Sequence, residues 1–354
     1  MDGQGSIVVT GGAGFIGSAL VRRLVADGAD VVNVDSLTYA GNLDSLGATA
    51  DAPNHHFERV DITDAAAVKR VFEQYRPRAV LHLAAESHVD RSIDGPDAFV
   101  QTNVVGTLHL LQAARSHHAT LDEAGRAAFR FVHVSTDEVF GSLEDDTARF
   151  HTGTPYDPRS PYSASKAGSD HLARAWHHTF RLPVIVTNCS NNYGPYQFPE
   201  KLIPLVILSA LRGAELPVYG DGSNVRDWIY VDDHVDGLVT ALERGSPGGT
   251  YLFGGDAERR NIDVVRGICS ILDELRPRDE GPYADLIRFV RDRPGHDHRY
   301  AIDSSHAREA LGWAPRHSFD AGLRATVGWY ARPNAWVERV RSGAYRGERL
   351  GVSV

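Results

Sequence analysis

The sequence predicts an α/β fold, a doubly wound parallel sheet joined to a second, smaller α/β substrate-binding domain. Three observations predict it. Short apolar runs alternate with longer amphipathic stretches through about the first 190 residues. Those runs are mostly too uniformly apolar to face water on either side. A glycine-rich turn joins the first run to the first amphipathic stretch. Buried strands alternating with helices imply a parallel sheet covered on both faces.

Taken in order, "SIVVT" (6–10), "DVVNVD" (30–35), "HHFERVDI" (55–62), "AVLHLAA" (79–85), "FRFVHVST" (129–136) and "PVIVTNCS" (183–190) read as strands. Between the first two, "IGSALVRRLVADG" (16–28) reads as a helix ending on a Gly, where a helix C-terminus favours one. A further helix is expected to begin near Ser160. After about residue 190 the pattern becomes irregular and richer in Pro and Gly, as in "NNYGPYQFPEKLIP", which suggests loops of a second domain facing the ligand end of the sheet.

Composition narrows the class. The chain has 354 residues, 42% hydrophobic and 23% charged, enough for a large core in one large or two moderate domains. A net charge of −9 argues against broad nucleic-acid binding, which needs a basic face. The start "MDGQGS" has no basic segment followed by an apolar one, and no run of about 18 apolar residues occurs, so neither secretion nor a membrane is expected. Cys189 and Cys269 lack CxxC spacing, so no disulfide framework or structural zinc is expected and a reducing cytoplasm is the default. The seventeen histidines include pairs at 55–56, 117–118 and 177–178, but no Cys or carboxylate cluster completes a ligand set, and no metal is expected.

In "IVVTGGAGFIGSAL", Gly11, Gly14 and Gly17 follow the first strand and open the first helix. Such glycines permit a tight turn and let backbone N–H groups reach a pyrophosphate, while the helix N-terminus favours negative charge. Asp35 ends the second strand eighteen residues past Gly17. A carboxylate there accepts from both ribose hydroxyls and repels a 2′-phosphate, so NAD is favoured over NADP and the fold is Rossmann-type. Phe15 and Ile16 in the turn, Asp61 and Ile62 at the end of the third run, and Ala84 near the end of the fourth are further cofactor-binding candidates.

In "SPYSASKAGSDHLARAW", Tyr162 and Lys166 are four apart and share one helix face. A phenol is a poor base at neutral pH, and a neighbouring ammonium and an oxidised nicotinamide both stabilise its anion. Thr136, ending the fifth strand, would hold the same substrate oxygen, and the three make a plausible alcohol-oxidation set. Asp137 and Glu138 follow directly. By themselves they read equally as a helix N-terminus carrying charges favourable to its dipole.

T-G-x-x-G-x-x-G with Y-x-x-x-K resembles the extended short-chain dehydrogenase/reductase family. "STDEVFG", "HLAAESHVDRSIDGP", "SPYSASKA", "NCSNNYGPYQFPEKLIP", "RDWIYVDDH" and "DRPGHDHRYAID" resemble, within it, the dTDP-glucose 4,6-dehydratases over roughly residues 5–330. Phe140 stands where Tyr is commoner, and Leu252-Phe253 is less polar than usual. The resemblance implies NAD as cofactor and dTDP-glucose as substrate. It makes Asp137 the acid at C6 and Glu138 the base at C5. Thr136 and Tyr162 hold and deprotonate the C4 oxygen, and Lys166 anchors the nicotinamide ribose. It matches Asn191 and Lys201 to substrate contacts, with Glu200 and Ser87 near the sugar. Arg226 offers a fork for diphosphate, with a salt bridge to Asp227 or Asp232 as its other role; Tyr219 would stack on a base, and Asn261 and His296 would contact nucleotide or phosphate. It also implies a homodimer through helices around 98–116 and 160–180.

The expected division is a cofactor domain of 1–190 and 230–257, a nucleotide-sugar domain of 191–229 and 258–330, and a C-terminal helix and tail over 331–354. Three alternatives remain: a nucleotide-sugar 4-epimerase, which needs no acid and base for water loss; a dehydratase of another nucleotide sugar; and a non-enzymatic NAD(H)-binding regulator on the same fold.

Overall fold

The computed structural model describes residues 5–292 and 296–342. Its centre is a seven-stranded parallel sheet of β1 (Ile7–Thr10), β2 (Val31–Asp35), β3 (His55–Arg59), β4 (Ala79–His82), β5 (Arg130–Thr136), β6 (Val184–Cys189) and β10 (Thr250–Phe253). The spatial order is β10-β6-β5-β4-β1-β2-β3. The chain runs outward from β1 to β3, then returns to β4 on the other side of β1, so the order reverses between β1 and β4. In open sheets of this kind ligands bind in the crevice at the carboxyl ends of the strands beside such a reversal.

All six strands expected before residue 190 are present, with two ends moved by three residues: "AVLHLAA" leaves the sheet at His82, where Leu83 to Ala85 line the cleft, and the third strand also stops early. The run "HHFERVDI" leaves the sheet at Arg59, because Asp61 turns the chain: its Oδ1 accepts from Thr63 N at 2.8 Å. Asp64 then caps the helix Ala65–Tyr75. As the edge strand, β3 is only partly buried, which explains its mixed composition. The first helix, Phe15–Ala26, ends with Gly28 at φ +84, the left-handed conformation a Gly supplies without strain.

Two cores cover the faces of the sheet. One joins β1, β4 and β5 to the helices Phe15–Ala26 and Val231–Arg244 through Leu20, Leu24, Val235 and Leu238. The other packs Val71 and Phe72 of Ala65–Tyr75, and Leu110 and Leu111 of the helix Thr107–Thr120, under Val32, Val80 and Phe131.

The stretch after residue 190 is more ordered than its composition suggests. β7 (Asn191–Tyr193), β9 (Val225–Tyr230) and β11 (Glu258–Arg260) form a three-stranded sheet, and β8 (Leu216–Tyr219) pairs with β12 (Ile287–Val290). They share a separate core with the helices Leu202–Ala210, Asn261–Leu275 and Phe319–Ala331, built on Tyr193, Trp228, Ile268 and Leu323. The helix Ala335–Ser342 adds Trp336 and Val337 to it; the expected tail beyond residue 342 lies outside the described residues. Within 258–330 two stretches depart: Tyr300 and Ile302 cluster with Val139, Phe150 and Leu252, and Ala307, Leu311 and Trp313 pack into the core of the large sheet. No described helix is long and apolar enough to cross a membrane.

Candidate active site

The glycine turn is a backbone cradle. Gly11 has φ +72, and a Cβ on it would lie 2.7 Å from Ala84 N. A Cβ on Gly17 would lie 2.0 Å from the Gly11 carbonyl oxygen. Gly14 N-caps the helix Phe15–Ala26 with no side-chain hydrogen bond, which leaves the positive end of the helix open toward an anion. Beyond it the Asp35 carboxylate accepts from Ala13 N at 3.0 Å and Leu37 N at 2.8 Å. Burial pushes Asp35 above the usual carboxylate range, and those two N–H groups oppose the rise. Phe15, Ile16, Asp61, Ile62 and Ala84 line the same cleft, so the expected cofactor residues converge and their shape and polarity suit a dinucleotide.

Thr136, Asp137, Glu138, Tyr162 and Lys166 line the other end of this cleft. The end of β5 delivers Thr136, the turn that follows it delivers Asp137 and Glu138, and the helix Pro161–Phe180, started by a Ser160 capping box, delivers the last two. Both local interpretations of "TDE" hold at once. Asp137–Phe140 is a short 3-10 turn, and the Thr136 hydroxyl caps it by accepting from Glu138 N at 3.3 Å. The two acids also differ in environment. Asp137 is 2% exposed, its Oδ1 accepts from the Thr136 hydroxyl at 3.4 Å, and its Oδ2 finds no partner among the described residues. Burial first, then the charges of Glu138 and Asp227, drive Asp137 well above the usual carboxylate range. Glu138 is only half-buried and faces the cleft. The pair therefore presents a carboxyl biased toward its neutral, proton-donating form next to a carboxylate.

Tyr162 departs from the sequence expectation. Burial and the neighbouring Glu138 charge raise its proton affinity well above that of a free phenol, opposed by a hydrogen bond with Thr136. The Lys166 ammonium is turned onto the Val134 carbonyl at 2.8 Å. Burial lowers Lys166, and the charge of Asp170 opposes that fall.

The expected substrate residues fall into two groups. Ser87, Asn191, Glu200 and Lys201 line the cleft. Lys201 Nζ donates to the Ser87 carbonyl at 2.9 Å, and the buried Asn191 Oδ1 has no partner among the described residues, which suits a ligand donor. Glu200 is committed elsewhere than a sugar: its carboxylate accepts from Arg91 Nε at 3.0 Å and from the Tyr39 hydroxyl at 3.0 Å. The Arg91 guanidinium also lies 4.0 Å over the Tyr39 ring, tying the helix Val89–Asp94 to the loops that carry Tyr39 and Glu200.

Tyr219, Arg226, Asn261 and His296 lie outside that lining. Arg226 donates to the carbonyls of Val225, Asp297 and His298 and stacks 4.2 Å over Tyr300, and its charge reaches Asp137. Tyr219 meets His296 edge-on at 6.0 Å and donates to Asp90 at 3.4 Å. Asn261 opens the helix Asn261–Leu275, and its N–H donates to the Asn224 carbonyl at 2.9 Å.

Sequence reasoning missed Tyr39, Arg91 and Asp170. Only Asp170 carried a local signal, its position four residues after Lys166.

With the cradle at the strand-order reversal and the hydroxyl, phenol and ammonium meeting across it, the molecule falls in the extended short-chain dehydrogenase/reductase class. Within that class the chain belongs to the family described as GDP-mannose 4,6 dehydratase, whose model matches residues 8–326. It is 57% identical over 348 residues to dTDP-glucose 4,6-dehydratase of Xanthomonas campestris pv. campestris (strain B100), covering 98% of this chain and 99% of that protein. It is 56% identical over 349 residues to dTDP-glucose 4,6-dehydratase 1 of Escherichia coli (strain K12), covering 96% of each. Among solved structures, dTDP-glucose 4,6-dehydratase of Streptomyces venezuelae with NAD and TYD bound superposes with a TM-score of 0.86 at 45% identity, covering 95% of this chain and 99% of that one. UDP-glucose 4-epimerase of Thermus thermophilus, complexed with NAD, gives 0.81 at 28% identity over 92% of this chain and 98% of that one.

Proposed function

We propose that this chain converts dTDP-glucose to dTDP-4-keto-6-deoxyglucose and water. The observation that carries the reading is the Asp137–Glu138 pair, a buried carboxyl biased toward its neutral form beside a half-buried carboxylate. A 4-epimerase has no water to remove and no use for such a pair. Both the relatives named dTDP-glucose 4,6-dehydratase and the presence of NAD in solved neighbours support it.

Gly11, Gly14 and Gly17 would hold the pyrophosphate of NAD, Asp35 a ribose, and Lys166 the nicotinamide ribose. When bound, NAD supplies the hydride acceptor for C4 and the donor for C6, and its oxidised ring places positive charge beside Tyr162. Tyr162 and Thr136 hold the C4 hydroxyl, and Tyr162 takes its proton. With C4 a ketone the C5 proton is acidic, and Glu138 removes it. Asp137 protonates the C6 hydroxyl, because hydroxide leaves poorly at neutral pH. Glu138 then returns a proton to C5.

Ser87, Asn191 and Lys201 would face the hexose. Arg226, Asn261, His296 and Tyr219 would serve the nucleotide diphosphate from the second domain. The proposed division gives residues 1–190, 230–257 and about 300–313 to the cofactor side, and 191–229 with most of 258–330 to the substrate side. A homodimer through the helices around 98–116 and 160–180 is proposed, supported by the partly open Val104, Leu108 and Leu172. The proposed setting is the cytoplasm, where Cys189 and Cys269, both buried and unpaired with each other, would stay reduced.

The test is turnover of dTDP-glucose, UDP-glucose and GDP-mannose by NAD-loaded protein. Conversion of dTDP-glucose at least tenfold faster in kcat/KM than the other two supports the assignment; preference for either competitor overturns the nucleotide.

A further inference from the structure

The helix Pro161–Phe180 carries a third ionisable side chain on the face that presents Tyr162 and Lys166. Asp170 lies one turn beyond Lys166, so the three project from the same side. Lys166 is 5% exposed and Asp170 0%. The Asp170 carboxylate is fully engaged: Oδ1 accepts from His133 Nε2 at 3.0 Å, and Oδ2 accepts from the Ser135 hydroxyl at 2.8 Å and the Tyr156 hydroxyl at 2.7 Å. The Asn188 amide lies further off, at 3.5 Å. Burial would raise Asp170, yet the hydrogen bond and charge of His133, the charge of Lys166 and the Tyr156 hydroxyl hold it below the usual carboxylate range.

Lys166 is held differently. Its one hydrogen bond among the described residues goes to the neutral Val134 carbonyl. A buried ammonium with only a carbonyl for company sheds its proton unless a counter-charge lies nearby. The titratable groups around it are few, and the histidines among them can add only positive charge. His82 on β4 and His133 on β5 are driven toward neutrality by burial. Burial likewise keeps the Cys189 thiol on β6 protonated, and Asp137 is pushed toward its neutral form. Tyr162 on the same helix favours its neutral phenol, and so does Tyr156, whose hydroxyl accepts from Arg174 at 2.8 Å at the outer end of the network. Glu138 is half-buried and faces the cleft. Asp170 is thus the fully buried fixed anion of this cluster.

We propose that Asp170 is a positioning residue for the oxidation step: its buried carboxylate is the counter-charge that keeps Lys166 an ammonium beside Tyr162 and the cofactor ribose, without itself touching substrate. This rests on the dehydratase reading, in which Tyr162 takes the proton of the C4 hydroxyl. Tyr162 gives up its own proton more readily next to an ammonium than next to a neutral amine.

The chain offers a direct test, because Lys69, Lys166 and Lys201 are its only lysines. Holoenzyme carrying carbon-13 at the lysine Cε positions gives three signals, and Lys166→Arg identifies the one that matters. In Asp170→Asn, a near-isostere, the Lys166 signal should titrate about one pH unit or more below wild type. The acid limb of the dTDP-glucose turnover profile should move to higher pH. Solvent exchange at C5 of the 4-keto product, which needs Glu138 but not C4 oxidation, should fall at least tenfold less than turnover. Tyr156→Phe removes a donor to Asp170 but keeps its charge, and should leave the Lys166 titration in place. An unchanged Lys166 titration in Asp170→Asn, or an equal shift in Tyr156→Phe, overturns the proposal. If wild type turned over no dTDP-glucose, the functional reading would fall, and the lysine titration would still decide whether Asp170 sets the charge of Lys166.

Discussion

Replacing Asp137 by Asn should make the protein more stable and less active, with a pH dependence that reports the carboxyl directly. Asp137 is buried beside Glu138 and Asp227 and binds its proton more tightly in the folded state than in the unfolded chain. For a group shifted in that direction, the stabilising contribution is complete below the unfolded-chain value near 3.9 and is lost as pH rises toward the folded value. Within that window each pH unit lowers the stability of wild type by about 1.4 kcal/mol relative to a side chain that does not titrate. Asn has nearly the same shape and does not titrate. The stability difference between Asp137→Asn and wild type should therefore grow by about 1.4 kcal/mol per pH unit above pH ~4, then level off at the folded value. Urea unfolding of both proteins at several pH values between about 4.5 and 7, under the same excess of NAD, measures it. Turnover should fall roughly 10²–10⁴-fold, because an amide cannot protonate a leaving hydroxyl. A stability difference that stays flat across this range would mean that Asp137 is ionised in the folded protein throughout, and it could not then be the acid.

Three further outcomes are expected. Glu138→Gln should abolish solvent exchange at C5 and reduce turnover by about 10²–10⁴-fold; exchange at the wild-type rate would remove Glu138 as the base. Gly17→Ala puts a methyl 2.0 Å from the Gly11 carbonyl oxygen, so the turn must shift. Calorimetry should show NAD affinity reduced at least about tenfold, and an unchanged affinity would contradict the cradle. Arg91→Ala leaves the Glu200 side chain, 2% exposed, without its cation. Breaking a buried pair typically costs about 3–5 kcal/mol, and with Arg91 31% exposed a value of about 2 kcal/mol is expected in urea unfolding; a loss under about 0.5 kcal/mol would make the bridge incidental.

Local chemistry was legible in the sequence, and chemistry assembled from distant segments was not. Apolar runs bounded by turn residues announced the first six strands, because burial on both faces leaves little freedom of composition. The glycine turn and Tyr162 with Lys166 lie within single segments, so their geometry follows from spacing alone. β7, β8 and β11 gave no such signal: they carry Asn191-Asn192, Pro217 and Glu258-Arg259-Arg260 in place of an apolar run, and depend on partners far along the chain. The different environments of Asp137 and Glu138 were equally hidden: the two are adjacent in sequence, and Asp227 from β9 helps to separate them. Glu200 was legible as a cleft residue, but its contacts with Tyr39 and Arg91 were not, because those partners lie 161 and 109 residues away.

The most direct test of the whole account follows the hydrogens of one turnover. With dTDP-glucose deuterated at C4 in ordinary water, a 4,6-dehydratase should deliver deuterium to C6 and solvent hydrogen to C5 of a 4-keto-6-deoxy product. Deuterium retained at C4 of a sugar with inverted C4 configuration would identify an epimerase instead, and would contradict Asp137 as the acid at C6 and Glu138 as the base at C5.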